Sequence, residues 1–231
     1  MPFLVESISE ALKLIVTLDQ DLVRATATTL QVSVASTAIA ALFSLPLALL
    51  IARFDFAGKS WVVTLLRTAL ALPTVVIGLA VYAFIARNAP LGSWQLLFTP
   101  TAIIIGQVCL IIPLITALAH SAVQSRITLI YEEARLLGAP PIAAFWLTVK
   151  ELRLGILTAF LAGFGRVISE VGISLVLGGN IRGVTRTLTT AISLKTSQGD
   201  FAHAFALGIV LLSMVLLINA AIRSGHMERE V

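Results

Sequence analysis

Charged side chains are scarce in this sequence. Only 12% of its 231 residues are Asp, Glu, Lys or Arg, whereas 58% are hydrophobic and the mean hydropathy is +1.00. A soluble domain typically carries about 25% charged residues, because its surface must face water. With so few charges the chain cannot cover an apolar core with a polar surface. The composition therefore excludes an ordinary soluble domain and indicates an integral membrane protein.

Residue types that would indicate particular chemistries are also rare. The single cysteine, Cys109, excludes a disulfide framework and a cysteine metal cluster, and its apolar surroundings favour a packing role. The three histidines, His120, His203 and His226, are isolated and offer no set of metal ligands. No basic patch interleaved with aromatic residues indicates nucleic-acid binding. We therefore expect no metal, no cofactor, no catalytic residue and no nucleic-acid partner.

The sequence also lacks a complete nucleotide-binding motif. The GKS at 58–60 resembles the end of a phosphate-binding loop, but Arg53 stands where the earlier glycine is required and no strand precedes it. The GFG at 163–165 has no third glycine and lies within an apolar run. We therefore expect that the chain is not an enzyme and that any ATP hydrolysis that drives it takes place in a partner chain.

Apolar runs of membrane length dominate the rest of the chain. Each exceeds the roughly 20 residues that a helix needs to cross the hydrocarbon core. Prolines inside the runs are tolerated because neighbouring helices can satisfy the freed carbonyl groups. The sequence therefore predicts an all-α membrane protein with about five transmembrane helices. The runs are 26–52, 61–86, 101–123, 152–177 and 201–222, and the prolines are Pro46, Pro73 and Pro113.

Residues 1–25 precede the first run and are predicted to contain an amphipathic helix. They have no basic start and carry acidic residues, so we do not expect a signal peptide. The pattern favours a helix that lies in the membrane interface, although a solvated start to the first span would show it too. The apolar residues that recur at helical spacing are Leu4, Ile8, Ala11, Leu12 and Ile15.

Basic residues are distributed unevenly between the runs and predict the orientation. They flank the loop between the first two runs and the polar stretch near 126–153, whereas 88–100 carries no charge. The positive-inside rule then places the first two regions in the cytoplasm, 88–100 outside, the N-terminus outside and the C-terminus inside. One outer loop breaks the rule, which suggests that its cations serve something other than topology. These cations are Arg182, Arg186 and Lys195, opposed only by Asp200.

The longest polar interruption between two runs, 131–154, predicts two short helices joined by a corner. Glu132 and Glu133 suit the start of the first helix, where the helix dipole favours carboxylates. Gly138 can adopt the left-handed conformation that ends a helix, and the two prolines that follow prevent its continuation. A second helix is predicted over 142–149, with a proline in its first turn. Such a corner outside the lipid is suited to be held by another protein.

This segment resembles the EAA loop in permeases of ATP-binding-cassette (ABC) importers. The family pattern is Glu-Ala-Ala, three residues, Gly, nine residues, and Ile-x-Leu-Pro. Glu132, Glu133 and Ala134 fill the first triplet and Gly138 has the required spacing, but Glu133 replaces an alanine and TVKE at 148–151 replaces the last four residues. The resemblance implies that Glu132, Glu133, Ala134 and Gly138 couple the permease to a cytoplasmic ATPase.

Two charges lie near the middle of the run 152–177. Arg166 and Glu170 are four residues apart and are predicted to share one helix face. An arginine at the bilayer centre costs about 2.5–3.5 kcal/mol on insertion scales, so we expect this face to lie inside the helix bundle. Both a structural ion pair and a role in lining or gating a substrate path are consistent with this placement.

A glycine-rich loop, 178–187, follows this run. Its glycines expose backbone N–H groups, and Asn180, Arg182, Thr185 and Arg186 add donors. Such a surface would suit an oxyanion, which presents only acceptors. The alternative is an ordinary glycine-rich turn with solvated arginines.

Residues 165–192 are similar to the corresponding region of tungstate permeases, within the wider molybdate and sulfate group. In that wider group a proline would stand at Arg182 and Leu-Pro at 189–190. The TVKE at 148–151 also fits the tungstate branch. The resemblance covers nearly the whole chain, with most specificity between Glu132 and Asp200.

The resemblance implies a multi-pass permease subunit in the cytoplasmic (inner) membrane. Its transmembrane domain would be 26–223, with a coupling loop at about 128–150 and a cytoplasmic tail at 224–231. Its partners would be a second permease copy in a homodimer, two ABC ATPase subunits, a periplasmic or extracellular oxyanion-binding protein, and membrane lipid. Its function would be to form the translocation pathway for an oxyanion; the resemblance favours tungstate, and the alternative is molybdate or sulfate.

Other classes of protein are less consistent with the sequence. An autonomous secondary transporter could be driven by ions through Arg166 and Glu170, but such proteins usually show repeated halves and discontinuous helices. Neither is evident in the sequence. A membrane enzyme would require an acid–base or metal constellation, which the sequence does not contain.

Overall fold

The structure is a computed structural model that describes the backbone of residues 2–227 and the side chains of residues 8, 9 and 11–220. Over the described backbone it is all-helical, without strands, and a short 3-10 helix lies at Gly92–Trp94. The α-helices are α1 Pro2–Val16, α2 Gln20–Arg53, α3 Lys59–Ala69, α4 Thr74–Ile85, α5 Pro100–Val123, α6 Ile127–Leu136, α7 Pro141–Glu151, α8 Arg153–Ile168, α9 Gly172–Gly178, α10 Leu188–Ser197 and α11 Phe201–Met227.

Three helices among the described residues are long and apolar enough to cross a membrane. These are α2, α5 and the part of α11 at Phe201–Ala220. Two further pairs, α3 with α4 and α8 with α9, each have the required length and composition when their short break is bridged, so up to 5 spans are present. The all-α membrane class is confirmed with three to five candidate spans, and the predicted number of about five is reached only if each bent pair forms one span.

The second apolar run does not form one uninterrupted helix, as the sequence had predicted. Helix α3 ends at Ala69 and α4 begins at Thr74, with Pro73 as the last residue of the break. Proline has no N–H to donate and disfavours the helical conformation in the residue before it. Pro46 and Pro113, in contrast, lie inside α2 and α5 without ending them.

The fourth run is also divided, and this corrects the prediction for its two charges. Helix α8 ends at Ile168 and α9 begins at Gly172, so Arg166 and Glu170 do not share the face of one helix. Glu170 lies in the break, where its Oε1 accepts the N–H of Ile173 at 3.1 Å. A carboxylate that satisfies a first-turn N–H starts a new helix and does not continue the old one.

The N-terminal helix exists, but only part of its predicted apolar face packs, and the side chain of Leu4 lies outside the described residues. In α1, Ala11 is fully buried and Ile15 packs against the same cluster of side chains. Ile8 and Leu12, which the pattern placed on the apolar face with them, are 45% and 52% exposed. The helix ends before Leu18, which has a left-handed backbone at φ 52. The location of this helix in a membrane interface stays a prediction.

The described residues belong to two compact units. The first comprises residues of Met1–Ala35, Thr74–Gln107 and Val167–Val231. Its cores lie where α4 packs on α9 and where α1 and α10 each pack on α11. Close approach needs glycine at Gly106, where an added Cβ would lie 2.6 Å from side-chain atoms of Ile173 and Leu177. This unit contains the glycine-rich loop.

The second unit comprises Ser36–Pro73 and Val108–Arg166. Its core joins the end of α2 to the end of α5 and to the short helices α6 and α7. The buried members are Leu49, Ala52, Val123, Ile127, Ile130, Leu152 and Ile156. This unit therefore holds the predicted coupling loop.

The predicted tail, 224–231, is helical at its start because α11 continues to Met227. The remainder of that tail, 228–231, lies outside the described residues.

Candidate functional site

The corner between α6 and α7 is built by a glycine with a left-handed backbone. Gly138 has φ 88, and its N–H donates to the carbonyl of Arg135 at 3.1 Å. The N–H of Ala139 donates to the carbonyl of Ala134 at 3.0 Å. Together these bonds form a Schellman motif, which satisfies carbonyl groups at the end of a helix. The prediction for Gly138 is therefore confirmed in its backbone geometry.

Two further features hold the corner in place. Nη1 of Arg135 donates to the carbonyl of Ala139 at 2.7 Å, across the turn. Pro140 is extended, at φ −63 and ψ 157, and α7 begins at Pro141. Proline suits a first helical position because its missing N–H has no partner there. Four residues, Leu137 to Pro140, therefore separate α6 from α7.

The two glutamates of the loop lie inside α6, not at its start as predicted. Helix α6 begins at Ile127, because the apolar residues before Glu132 already follow helical spacing. Ile127, Ile130 and Ala134 are buried on one face. Glu132 and Glu133 are exposed on the rest of the helix surface. The carboxylates are therefore available to a partner, and Ala134 anchors the helix.

Large apolar side chains are exposed on both sides of the corner. Leu136 and Leu137 are each 88% exposed, and Ile142 is 74% exposed. Trp146, one turn further along α7, is 63% exposed. This patch lies on a loop between apolar runs of membrane length. Exposed apolar patches of this kind mark surfaces where another protein or a membrane binds.

The glycine-rich loop after α9 is closed by its own polar side chains. Nε and Nη2 of Arg186 donate to Oδ1 and the carbonyl of Asn180 at 3.1 and 3.3 Å. Thr185 donates from its hydroxyl to the carbonyl of Gly178 at 2.5 Å and accepts the N–H of Ile181 at 2.9 Å. Asn180 itself has a left-handed backbone, at φ 52. The structure therefore brings Asn180, Thr185 and Arg186 together.

The remaining loop cation, Arg182, lies apart from these three. Its Nε and Nη2 contact Oδ1 and Oδ2 of Asp21 at 2.8 and 2.7 Å. Such a two-point contact matches the planar guanidinium to the carboxylate. The sequence placed Asp200 alone opposite the outer cations and missed Asp21. A partner that is 161 residues away in the chain leaves no local signal.

We predict that Thr185 stabilises this loop more than Arg182 does. Thr185→Val keeps the shape of the buried side chain but leaves the N–H of Ile181 without its acceptor, which typically costs about 1–3 kcal/mol. Arg182→Gln removes an ion pair from a side chain that is 69% exposed, and such pairs contribute little. Thermal unfolding of the purified chain in detergent should show a clearly lower Tm for Thr185→Val only. Equal Tm values would contradict the prediction.

A second polar cluster lies at the start of α11. Asp200 accepts from Nζ of Lys195 through Oδ2 and contacts Nδ1 of His203 through Oδ1, both at 2.8 Å. Burial by itself raises the pKa of Asp200, but the hydrogen bonds from Lys195 and His203 outweigh it and lower the pKa to about 2. Lys195 and His203 lie five residues before and three residues after Asp200, a spacing from which the sequence analysis predicted no cluster. Lys195 is thus paired within the protein.

Residues 44–224 match the protein family described as "Binding-protein-dependent transport system inner membrane component". This match covers well over half of the chain. The chain therefore belongs to this family of membrane subunits, which agrees with its apolar helices.

Within this family, the chain is similar to permeases for anions. It is 37% identical over 228 residues to the tungstate uptake system permease protein TupB of Peptoclostridium acidaminophilum, covering 99% of this chain and 100% of that protein. It is 33% identical over 219 residues to TupB of Campylobacter jejuni, covering 95% and 92%. It is 43% identical over 204 residues to a "Probable anion ABC transporter permease protein" of Haloferax volcanii, covering 86% and 88%. The predicted resemblance to tungstate-type ABC permeases is confirmed.

Proposed function

We propose that this chain forms the translocation pathway of an ABC importer that carries an oxyanion, and that the oxyanion is tungstate. The observation that carries the proposal is the similarity to tungstate permeases over nearly the full length of both chains. Two copies of the chain would pair, a separate ATPase would supply the energy, and an external binding protein would deliver the anion. Selectivity for the anion would lie mainly in that binding protein, because a conduit must release what it holds.

The coupling of this permease to its ATPase is assigned to the corner between α6 and α7. The exposed Glu132 and Glu133 and the exposed leucines beside Gly138 support this assignment. Apolar side chains on a loop outside the membrane gain free energy when a partner covers them. An ATPase bound to this patch would move α7 when it changes conformation. Only one residue, Leu152, separates the end of α7 from the start of α8, so α8 would move with it.

The lining or gate of the pathway is assigned to six polar residues from α8 to the end of the glycine-rich loop. These are Arg166, Glu170, Asn180, Arg182, Thr185 and Arg186. Arg182 and Arg186 already have partners within the protein, namely Asp21 and Asn180. An arriving anion would have to compete with Asp21 for Arg182 and with Asn180 for Arg186. Such competition allows release as well as binding.

Uptake by the reconstituted transporter tests the proposal. Vesicles that contain the full chain, its ATPase and its binding protein should accumulate tungstate when ATP is present on the ATPase side. Molybdate and sulfate, each supplied with the same binding protein, should be carried less. Accumulation of tungstate by the chain alone, driven by an ion gradient, would contradict the proposed dependence on an ATPase.

The proposed orientation places the N-terminus outside and the C-terminus inside. In a Cys109→Ala background, cysteines placed at Ser93 and Ser197 should react with an impermeant thiol reagent added outside the cell. Both positions are exposed. A cysteine at Ala139, in the coupling corner, should react only after the membrane is opened. Reaction at position 139 in intact cells would overturn both the orientation and the assigned role of the corner.

A further inference from the structure

An apolar groove in the second unit lies behind the coupling corner and has no assigned role. Its volume is about 380 Å³, within the range of pockets that hold small molecules. The last turns of α2 form one wall, with Leu49 and Leu50. Helices α6 and α7 form the other, with Ile127, Phe145 and Val149. An occupant of this groove would therefore contact both the first membrane span and the coupling loop.

The polar groups of the groove are few and have defined positions. Thr148 uses its hydroxyl to donate to the carbonyl of Ala144 at 2.8 Å, so it offers no free donor. The guanidinium of Arg53 lies over the ring of Tyr131, at 4.8 Å from the centroid, within cation–π range. This contact holds the guanidinium at the last residue of α2, beside the groove. Within the described residues its N–H groups donate no hydrogen bond, so they can bind an external acceptor.

The charge of Arg53 is not balanced by a carboxylate. Among the described residues it forms no ion pair, whereas its neighbour Lys59 is paired with Asp55 at 2.9 Å. A half-buried cation at the mouth of an apolar groove is complementary to a molecule with an anionic head and an apolar tail. At the end of a membrane-spanning helix, the molecule of that chemistry present at high concentration is an anionic phospholipid.

We infer that this groove binds an anionic phospholipid, with its phosphate on Arg53 and an acyl chain between α2 and the coupling helices. Guanidinium and phosphate match through two parallel hydrogen bonds, and the apolar walls remove the chain from water. The bound lipid would hold α6 and α7 against α2. That effect on the corner rests on the proposed function, whereas the binding itself does not.

Native mass spectrometry of the full chain in detergent tests the binding. The wild type should retain added phosphatidylglycerol at least about tenfold more strongly than phosphatidylcholine, because the charge-assisted contact discriminates between them. Arg53→Gln should lose this preference. The matched control, Arg126→Gln, removes an exposed charge beside α6 that does not line the groove, and should keep it. Equal retention of both lipids by the wild type would overturn the inference.

A second pair of variants tests the acyl-chain part of the groove. Leu50→Trp places a larger side chain at a lining position that is 54% exposed, so the fold should tolerate it and lipid retention should fall. Leu47→Trp makes the same change at a position on α2 that is 40% exposed and does not line the groove, and retention should persist. Glycerol phosphate has the anionic head without the acyl chains. If it bound as tightly as phosphatidylglycerol, the groove would be a site for a free anion and the inferred lipid site would be overturned.

The failure of this inference can be separated from failure of the proposed function. Lipid retention is measured on the chain alone, and ATPase stimulation is measured on the assembled complex. Normal stimulation without lipid preference would overturn only the lipid site. Lipid preference without stimulation would overturn only the coupling role of the corner.

Discussion

In a Gly138→Val permease, the ATPase of the assembled complex should lose most of its stimulation by the transport cycle, while the chain still inserts into the membrane. A β-branched residue is strained at φ 88, at a cost of roughly 1–3 kcal/mol. The corner can escape this strain only by changing its backbone conformation, which breaks the bonds that end α6 and turns the exposed leucines elsewhere. ATP hydrolysis in reconstituted vesicles, with and without binding protein and tungstate, measures the loss.

The chain supplies a matched control for this prediction. Gly58 also has φ 88, and at both glycines an added Cβ would meet no atom within 4 Å. Gly58→Val therefore introduces the same type of backbone strain without steric overlap, but at the N-cap of α3 and not between α6 and α7. Its stimulation should stay close to that of the wild type. If both variants lost stimulation equally, strain alone would explain the effect and the corner would have no special role.

The second large effect is expected at Glu170, where two substitutions separate a structural role from a role of the charge. Glu170→Ala removes the acceptor of a buried N–H on Ile173, which typically costs about 1–3 kcal/mol, so expression and Tm should fall. Glu170→Gln keeps an oxygen at that position but removes the negative charge. The glutamine variant should fold better than the alanine variant and yet transport little tungstate.

Uptake per folded molecule decides between the two roles of Glu170. The amount of folded protein comes from size-exclusion chromatography in detergent, and uptake comes from vesicles that hold equal amounts of it. Wild-type uptake by Glu170→Gln would show that the carboxylate serves only to start α9. The control is Ser174→Ala, which removes a donor to the carbonyl of Glu170 without changing the charge, and which should transport normally.

Sequence patterns predicted those features whose causes are local. The left-handed backbone of Gly138 follows from the steric freedom of glycine, and the start of α7 follows from the fixed φ of Pro141. The start of α6 was placed too late, because its first residues, ITLI, are apolar and do not differ from the end of the preceding run. Glutamates in the middle of a helix give no reliable signal for its first residue.

Features with causes distant in sequence could not be predicted. The helix break after Ile168 lies inside a predicted membrane-length run, so no change in composition marks it. The carbonyl of Glu170, in this break, accepts the hydroxyl of Thr189 at 2.8 Å, a contact 19 residues away in the chain. The pairing of Arg182 with Asp21 likewise joins a late loop to the second helix. The sequence alone therefore predicts an anion as the partner of these cations, whereas Arg182 and Arg186 have partners within the protein.

The contact of α1 with α11 has a consequence for how the protein is made. Ala11 is buried in one cluster with Ala206 and Leu207 of α11, so the packing of α1 is complete only when α11 has been synthesised. The segments of the second unit end at Arg166, well before α11 is synthesised. Chains are generally built and folded from the N-terminus onward. Here the unit that contains the predicted coupling loop can fold before α11 is made, whereas the unit that contains the glycine-rich loop needs α11 to complete its core.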